Sequence, residues 1–550
     1  MKNKQLKTWF YDIGALCVLI GLFFVFYLGT RALSVPDEAR YGEIPREMLA
    51  LHDFITPHLN GIKYFEKPTW VYWVGALSIK CFGLNAWALR LPTMLMGLLA
   101  AIALYAAGRQ LFDRRSGFLA ALMLATSFLY FAMAHSLTLD MTLSSWLTIS
   151  LLSFIVAVDL PVGSSARRNL CWLMFATAAL ALMTKGLIGI VFPGAIVFLW
   201  LLCTHRWREL TALHWLTGLV LFLIIAAPWH VLVQQQNPEF FHFYFIEQHF
   251  TRYFTKAMHR YQPWWWFFPV LIGGLLPWTF FLPSALKMSF TKVPKALRDK
   301  NYFLILWAVF IFTFFSLSDS KLIPYLIPVL PPLVLLIARY FSVMWLERNR
   351  ALQTSACATG LLLALMTLAL MLAPRLDKHL SPLAIDALKM LAWLTGLWSL
   401  ALLAWCFKGK TARSLLVVLG VGSGIFCWGL VLAVPALDTR PIKHLALDVN
   451  ALAKPNDWIV SYGTYYQDLP FYTQRHVIIV NWRNELSFGL AHQPEARGWL
   501  MDADVFWSKV TTSPETIYMI VDARLYQQLA LTHPMTLLDQ SNSDVLVKIH

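Results

Sequence analysis

The chain contains thirteen long stretches that lack Asp, Glu, Lys and Arg. A helix needs roughly 20 apolar residues to cross the hydrocarbon core of a bilayer, and the stretches have about this length. In addition, 58% of the residues are hydrophobic, against roughly 45–50% in soluble domains. We therefore expect an α-helical polytopic membrane protein with about thirteen transmembrane helices. The stretches are 13–30, 91–108, 116–139, 141–158, 169–184, 186–205, 210–238, 261–286, 301–318, 322–338, 351–374, 390–407 and 414–437.

The positive charge is distributed unevenly between alternate connections. There are 45 Lys and Arg residues against 30 Asp and Glu, a net charge of +15. When successive connections are assigned to opposite sides, most basic residues fall on one side, which the positive-inside rule makes cytoplasmic. The N-terminus is then cytoplasmic, and an odd number of spans places the C-terminus on the other side. The excess charge is explained by topology, so we expect no nucleic-acid partner.

Residues 438–550 have the composition of a soluble domain. Short apolar runs alternate with helical patterns there, which predicts a small α/β domain. We therefore divide the chain into a transmembrane domain at 1–437, with an extracytoplasmic loop at 31–90, and an α/β domain at 438–550. No G-x-G-x-x-G or Walker pattern occurs, so no nucleotide is expected. The predicted strands are 458–462, 476–480 and 516–521, and the predicted helices are 442–452, 466–472 and 523–531.

The loop at 31–90 holds six carboxylates within thirty residues. Tyr41, Ile44, Met48 and Leu51 recur at spacings of three and four, which predicts a helix that lies in the membrane interface with its charged residues on the other side. A second interfacial helix is expected to begin at Pro68, because proline is favoured at the first helical position.

Two carboxylates, Asp37 and Asp140, lie next to apolar spans on the extracytoplasmic side. An acidic residue in this setting is a candidate functional residue, although an aspartate that caps a helix or a tight turn is an equally simple interpretation. Cations on this side oppose the positive-inside tendency and suit an anionic headgroup or phosphate; simple anchoring at the interface is the alternative. These cations are Lys63, Lys67, Lys185, Arg252, Arg260 and Lys321.

Carboxylates and cations at an extracytoplasmic membrane surface, without a nucleotide motif, favour one kind of enzyme. It would take an activated group from a lipid carrier, because no nucleotide-activated donor is expected outside the cytoplasm. The cations would stabilise the charge that grows on the leaving phosphate in the transition state.

Five segments resemble a known family: PDEARYGEIPREML, PHLNGIKYFEKP, LDMTL, TKGLIG and SKLIPYLIP. They are similar to the bacterial aminoarabinose transferases that modify lipid A, which belong to the polytopic, lipid-carrier-dependent glycosyltransferases of the C-type fold. The resemblance covers most of the membrane part, whereas the C-terminal domain is similar only in size and placement. It implies transfer of 4-amino-4-deoxy-L-arabinose from undecaprenyl phosphate to a lipid A phosphate at the periplasmic face of the bacterial inner membrane, which gives polymyxin resistance.

The resemblance also implies roles for individual residues. Asp37 is the expected main catalytic carboxylate, and Asp140 is a second acidic residue of the site. The residues expected to hold the carrier phosphate are Lys67, Arg252 and Tyr325, and those expected to contact substrate are Glu38, Tyr41 and Lys185. No cofactor is firmly implied, and Glu66 is a candidate for a divalent metal ion or for a structural contact.

Two alternatives remain open at this point. A glycosyltransferase of the same fold would use another sugar, or a protein or glycan hydroxyl that needs a general base. A lipid A phosphate is already ionised, so Asp37 would instead pair with the sugar's ammonium group or stabilise positive charge at the anomeric carbon. A lipid or solute transporter is the second alternative, although transporters usually place ionisable groups at the midplane and contain related halves.

Overall fold

The computed structural model describes residues 2–251, 261–291, 293–347, 349–408, 411–482, 484–541 and 543–549. Up to residue 437 these residues are mainly helical. The α-helices there are α1 (Lys2–Val25), α2 (Asp37–Leu51), α3 (Trp70–Phe82), α4 (Ala86–Leu111), α5 (Arg114–Ala125), α6 (Phe128–Ala134), α7 (Leu139–Val158), α8 (Ser165–Lys185), α9 (Ile188–Thr204), α10 (Arg208–Thr211), α11 (Trp215–Gln236), α12 (Phe267–Gly274), α13 (Leu282–Phe290), α14 (Lys295–Leu317), α15 (Leu330–Val343), α16 (Arg350–Leu376), α17 (Pro382–Lys408) and α18 (Ala412–Leu437). A π-helix covers His242–Thr251, and 3-10 helices cover Trp264–Trp266, Thr279–Phe281 and Ile323–Val329.

Among the described residues, nine helices are long and apolar enough to cross a membrane. The number rises to eleven if two bent pairs, Arg114–Ala125 with Phe128–Ala134 and Trp264–Gly274 with Thr279–Phe290, each form one span. The expectation of about thirteen is higher because it included α8, which has charged residues near both ends, and α9, which has 17 residues. The chain is a multi-pass membrane protein.

The described chain forms two compact units. The first, here called the helical unit, comprises Met1–Leu28, Arg90–Gln234 and Phe241–Leu437. The second, the sheet unit, comprises Gly29–Leu89, Gln235–Phe240 and Asp438–His550. The connection after α1 therefore belongs to the same compact unit as residues 438–550, here called the C-terminal segment.

α7 is the most deeply buried long helix among the candidate spans of the helical unit. In its most apolar window, 94% of the residues are buried. Its small hydroxyl residues allow close packing: Ser145 donates to the carbonyl of Met96 at 2.9 Å, and Ser150 donates to that of Met174 at 3.0 Å. Such interhelical hydrogen bonds satisfy polar groups where water is absent. α7 is thus a fixed support for Asp140 in its first turn.

The C-terminal segment contains a six-stranded sheet ordered β5-β4-β3-β6-β8-β7. The first four strands of this order run parallel, and β8 is antiparallel to both β6 and β7. The strands are β3 (Trp458–Tyr462), β4 (Ile478–Val480), β5 (Leu500–Met501), β6 (Ile517–Asp522), β7 (Thr536–Ser541) and β8 (Asp544–Ile549). The helices are α19 (Lys443–Leu452), α20 (Asp468–Thr473), α21 (Ser487–His492), α22 (Ala503–Val510) and α23 (Ala523–Leu529), with a 3-10 helix at Pro494–Gly498. The predicted small α/β domain is confirmed.

Both faces of this sheet are covered, which explains the uninterrupted apolar runs of its central strands. Ile459 and Ile520 pack on one face with Leu445 of α19. Val460 lies in the cluster on the other face with Phe506 of α22. A separate two-stranded hairpin, β1 (His58–Leu59) and β2 (Ile62–Lys63), lies in the sheet unit between α2 and α3.

Candidate active site

Asp37 is the first residue of α2, and its side chain is half exposed at 49%. The N-cap position is occupied by Pro36 and no side chain caps the helix, so Asp37 does not have the helix-capping role that the sequence also allowed. Nη1 of Arg40, one turn later, lies 3.7 Å from Asp37 Oδ1. This distance is too long for a strong hydrogen bond. The Asp37 carboxylate is therefore accessible and only loosely paired.

Glu38, which is expected to contact substrate, is buried and accepts hydrogen bonds from nearby residues. Arg31 donates to both of its carboxylate oxygens, at 2.5 and 2.9 Å, and the Ser34 backbone N–H donates to Oε2 at 2.8 Å. Charge-assisted bidentate bonds of this kind have a fixed geometry. They fix the start of α2, and hence the position of Asp37, whereas the substrate contact of Glu38 stays a prediction.

Arg40 forms a buried ion pair with Glu485 of the C-terminal segment. The Nη2 and Oε2 atoms are 2.6 Å apart, and the two side chains are only 8% and 10% exposed. Burial raises the pKa of Glu485, Arg40 lowers it, and the charges of Glu66 and Asp37 raise it further. The structure thus brings Asp37, Arg40, Glu66 and Glu485 into one charged group.

Among the remaining charged residues of α2, Glu43 and Glu47 are buried and the Arg46 side chain is 12% exposed. Arg46 donates to Glu43 at 2.6 and 2.7 Å, and Glu47 accepts from the Gly61 backbone N–H at 2.9 and 3.0 Å. Burial raises the pKa of Glu43, and burial together with the nearby Glu43 charge raises the pKa of Glu47 well above its usual range. The amphipathic pattern did not predict that the charged side of α2 would be inside the unit.

Other expected site residues of the sheet unit lie on α2 or just after the hairpin. Tyr41 is buried, and its ring centroid is 6.2 Å from that of Tyr72 on α3, which starts at Trp70 rather than at Pro68. Lys67 donates to the backbone carbonyl of Glu66 at 2.9 Å, and both residues are partly exposed.

In the helical unit, three expected site residues come together. Asp140 lies in the first turn of α7, which already begins at Leu139, and not in a turn between helices. Its Oδ1 forms an ion pair with Lys185, the last residue of α8, and the two side chains are 15% and 13% exposed. The Lys185 ammonium lies 4.5 Å from the ring centroid of Tyr325, within the range of a cation–π interaction.

The other predicted cations have different partners from the charged group around Asp37 and from the Asp140–Lys185 pair. Lys63 pairs with Glu239 at 3.3 Å, and Lys321 donates to the carbonyls of Gln262 and Ser318. Arg252 and Arg260 lie outside the described residues, so their expected roles stay predictions.

Possible metal ligands come together at one place in the sheet unit, among the residues that the structure describes. In the described ranges, one group of three side chains has ligand atoms close enough to hold an ion: His444, Asp448 and Asp539. His444 lies 2.9 and 3.4 Å from the two carboxylates, an arrangement that a histidine ion pair explains. Glu66 is not in this group, and its expected metal contact stays a prediction.

The whole chain is similar to a solved membrane glycosyltransferase. The crystal structure of ArnT from Cupriavidus metallidurans bound to undecaprenyl phosphate matches with a TM-score of 0.86 and 28% sequence identity, over 98% of this chain and 97% of that one. The apo structure of the same protein matches with the same TM-score. In sequence and in fold the chain is similar to the aminoarabinose transferases.

Family models and curated sequences agree with this placement. The model described as "Aminoarabinose transferase C-terminal domain" matches residues 445–549, and the model described as "Dolichyl-phosphate-mannose-protein mannosyltransferase" matches residues 66–231. The resemblance of the C-terminal segment to the aminoarabinose transferases thus extends to its sequence, and the expectation that it was limited to size and placement is wrong. The segment carries a family domain.

Curated relatives include several undecaprenyl phosphate-alpha-4-amino-4-deoxy-L-arabinose arabinosyl transferases. The protein of Edwardsiella ictaluri is 33% identical over 64% of this chain and 62% of its own length. A second, from Sodalis glossinidius, is 33% identical over 68% of this chain and 66% of its own length. The chain therefore spans just under two thirds of these aminoarabinose transferases.

Proposed function

We propose that the protein transfers 4-amino-4-deoxy-L-arabinose from undecaprenyl phosphate to a lipid A phosphate. The observation that carries this proposal is the structural match, over nearly the full length of both chains, to an ArnT bound to undecaprenyl phosphate. The curated relatives named for the same donor support it. The location that fits this chemistry is the bacterial inner membrane, with the N-terminus in the cytoplasm and the C-terminal segment in the periplasm.

The proposed reaction breaks the bond between the anomeric carbon and the carrier phosphate. An oxygen of the lipid A phosphate forms the new bond to that carbon, and undecaprenyl phosphate leaves as an anion. The acceptor is already ionised, so no proton has to be removed. Asp37, accessible and loosely paired, would pair with the ammonium of the sugar or stabilise the positive charge that develops at the anomeric carbon.

The cations have the complementary task. Lys67, Lys185 and Arg252 would stabilise the leaving phosphate, which gains negative charge in the transition state. The Tyr325 hydroxyl would donate to the same phosphate. Asp140 then acts on Lys185: it fixes the ammonium above the Tyr325 ring. We also propose that Glu66 contacts a metal ion, but the roles given to the other residues do not depend on this contact.

One observation favours a second candidate function. The family model that matches residues 66–231 is named for a protein mannosyltransferase. An enzyme with a protein hydroxyl as its acceptor needs a general base, and Asp37 would be the residue for that role.

Lipid A composition distinguishes the two functions. We would express the chain in a Gram-negative strain that lacks its own aminoarabinose transferase and analyse the lipid A by mass spectrometry. The proposed function predicts an added aminoarabinose on a lipid A phosphate and restored polymyxin resistance, both lost with Asp37→Asn. Unmodified lipid A from a strain with a verified donor supply and normal membrane levels of the protein would refute the proposal.

A further inference from the structure

The β1–β2 hairpin leads directly to the residues proposed to hold the donor. Its two turn residues, Asn60 and Gly61, have φ angles of 55° and 72°. Two positive φ angles are typical of a tight hairpin turn of the primed type, which Asn-Gly favours. From Lys63 the chain continues through the buried Tyr64 and Phe65 to Lys67. Any rotation of the hairpin would therefore move Lys67.

The C-terminal segment holds this turn with paired hydrogen bonds. The Asn60 amide donates to the Val477 carbonyl and accepts from the Val477 N–H, both at 2.8 Å. The Gln493 amide donates to the Gly61 carbonyl at 3.0 Å and accepts from the Lys63 N–H at 3.1 Å. Each amide thus uses a donor and an acceptor, so a small shift of the hairpin would weaken both bonds of the pair at once.

Two glycines allow the backbones to approach this closely. A Cβ atom on Gly61 would lie 2.8 Å from the Trp499 ring and 3.0 Å from His476. On Gly489, a Cβ atom would lie 2.3 Å from the Lys63 carbonyl oxygen, which is part of a backbone. The contact extends past the hairpin, since the ring centroids of Phe65 and Phe488 are 6.1 Å apart. The hairpin is therefore enclosed by the C-terminal segment on several sides.

On its other side the turn is held by α2. Glu47 accepts from the Gly61 N–H with both oxygens. The hairpin is thus attached both to the helix that carries Asp37 and to the C-terminal segment. Bonds to two different elements constrain its orientation more than a single contact would.

We propose that the C-terminal segment orients Lys67 toward the carrier phosphate, with Gln493 as the positioning residue. This inference rests on the proposed function, because it takes Lys67 as a ligand of that phosphate. Gln493 acts through the hairpin backbone and is not itself a catalytic residue. The inference gives the C-terminal segment a role in donor binding. The sequence alone indicated no functional site in this segment.

A double-mutant cycle with undecaprenyl phosphate as the probe tests this inference. The full-length protein is purified as wild type, Lys67→Met, Gln493→Leu and the double variant, and affinity for undecaprenyl phosphate is measured. We expect Lys67→Met to weaken binding about 10-fold in the wild type and less than about 2-fold in the Gln493→Leu background, because a misplaced ammonium has little binding left to lose. Tyr466→Phe is the matched control, since it removes a buried hydrogen bond to Asp544 within the same segment.

The possible results separate the inference from the function on which it rests. Full sensitivity to Lys67→Met in the Tyr466→Phe background, with little in the Gln493→Leu background, supports the positioning role. If the effects of Lys67→Met and Gln493→Leu on affinity are independent and multiply, the positioning role is overturned. A residue that only stabilises the fold would give this result. If Lys67→Met leaves wild-type affinity unchanged, the phosphate contact of the proposed function fails instead.

Discussion

The surroundings of Asp37 and Asp140 differ in how each carboxylate is compensated. Asp37 is 49% exposed and has Arg40 at 3.7 Å, whereas Asp140 is 15% exposed and forms a direct ion pair with Lys185. Around Asp37, the neighbouring charges pair with one another: Glu38 with Arg31, and Arg40 with Glu485. Asp140 instead pairs directly with Lys185, the last residue of the next helix, α8.

This difference indicates a division of labour. A carboxylate that is already neutralised by a direct, largely buried cation contributes little new charge to a reaction, but it fixes the position of that cation. A loosely paired, accessible carboxylate can respond to charge that develops on a substrate. We therefore propose that Asp37 has the direct chemical role and that Asp140 has a positioning role. Three experiments test this assignment, and a fourth examines a buried carboxylate of the sheet unit.

The largest effect is expected for Asp37→Asn. The amide keeps the shape of the side chain but loses its charge, so transfer by the purified protein should fall by about 100-fold or more. The melting temperature should change little because Asp37 is half exposed and only loosely paired.

The matched control for this variant is Asp386→Asn. Asp386 is 74% exposed and pairs with Lys389 on the surface, so its loss should not alter transfer. If Asp37→Asn retains more than a tenth of wild-type transfer, the assignment of Asp37 as the reacting carboxylate is wrong.

The second experiment examines the Asp140–Lys185 pair. Asp140→Asn and Lys185→Met should each lower transfer about 10- to 100-fold, because both displace the ammonium near Tyr325. The double variant should be no worse than the poorer single variant, since the two residues act as one unit. The exposed Asp386–Lys389 pair, with both residues replaced, serves as the control. Losses that multiply in the Asp140–Lys185 double variant would show separate roles for the two residues.

A smaller effect, about 10-fold in kcat with little change in the donor KM, is expected for Glu485→Gln. Without the Glu485 charge, Arg40 would turn toward Asp37 and reduce its charge in the reaction. Glu495→Gln, an exposed change in the same segment, should leave kcat unchanged. A normal kcat for Glu485→Gln would mean that the Arg40–Glu485 pair supports the fold only.

Local sequence patterns predicted the helical segments well and also drew attention to Asp37 and Asp140, whose roles stay predictions. Thirteen uncharged stretches marked the helical segments, and a 5-residue apolar run gave β3 with its observed bounds. Asp37 and Asp140 were identified because a carboxylate next to an apolar span is costly and therefore rare. Signals of this kind depend only on neighbouring residues.

Partners that come together through tertiary structure could not be predicted in this way. Nothing in the sequence around Glu485 indicates that it would meet Arg40, and Gln493 has no pattern that points to the hairpin. β7 was missed because most of its residues are exposed, so its sequence lacks an apolar run. The burial of α2 was missed for a related reason: its charged side is compensated by residues from other segments, which an amphipathic pattern does not reveal.

The smallest effect on transfer, less than about 2-fold, is expected for Asp468→Asn. This variant tests whether a buried carboxylate of the sheet unit is protonated in the folded protein. Asp468 is fully buried, Oδ2 accepts from the Ile442 N–H at 2.9 Å, and burial raises its pKa to about 7. An unfolded aspartate titrates near 3.9, so the native state keeps its proton over a higher pH range. Stability should therefore fall as pH rises from about 4 to about 7, by up to about 4 kcal/mol.

Asparagine keeps the acceptor for Ile442 and has no proton to lose, so Asp468→Asn should remove this part of the pH dependence and be the more stable protein at pH 8. Thermal unfolding of the full chain in detergent between pH 5 and pH 8 measures the difference, with the exposed Asp386→Asn as the control. Parallel curves for wild type and Asp468→Asn would show that Asp468 is ionised in the native state. The sheet unit would then compensate its buried carboxylates as directly as Lys185 compensates Asp140, and the contrast between the two regions would be confined to Asp37 itself.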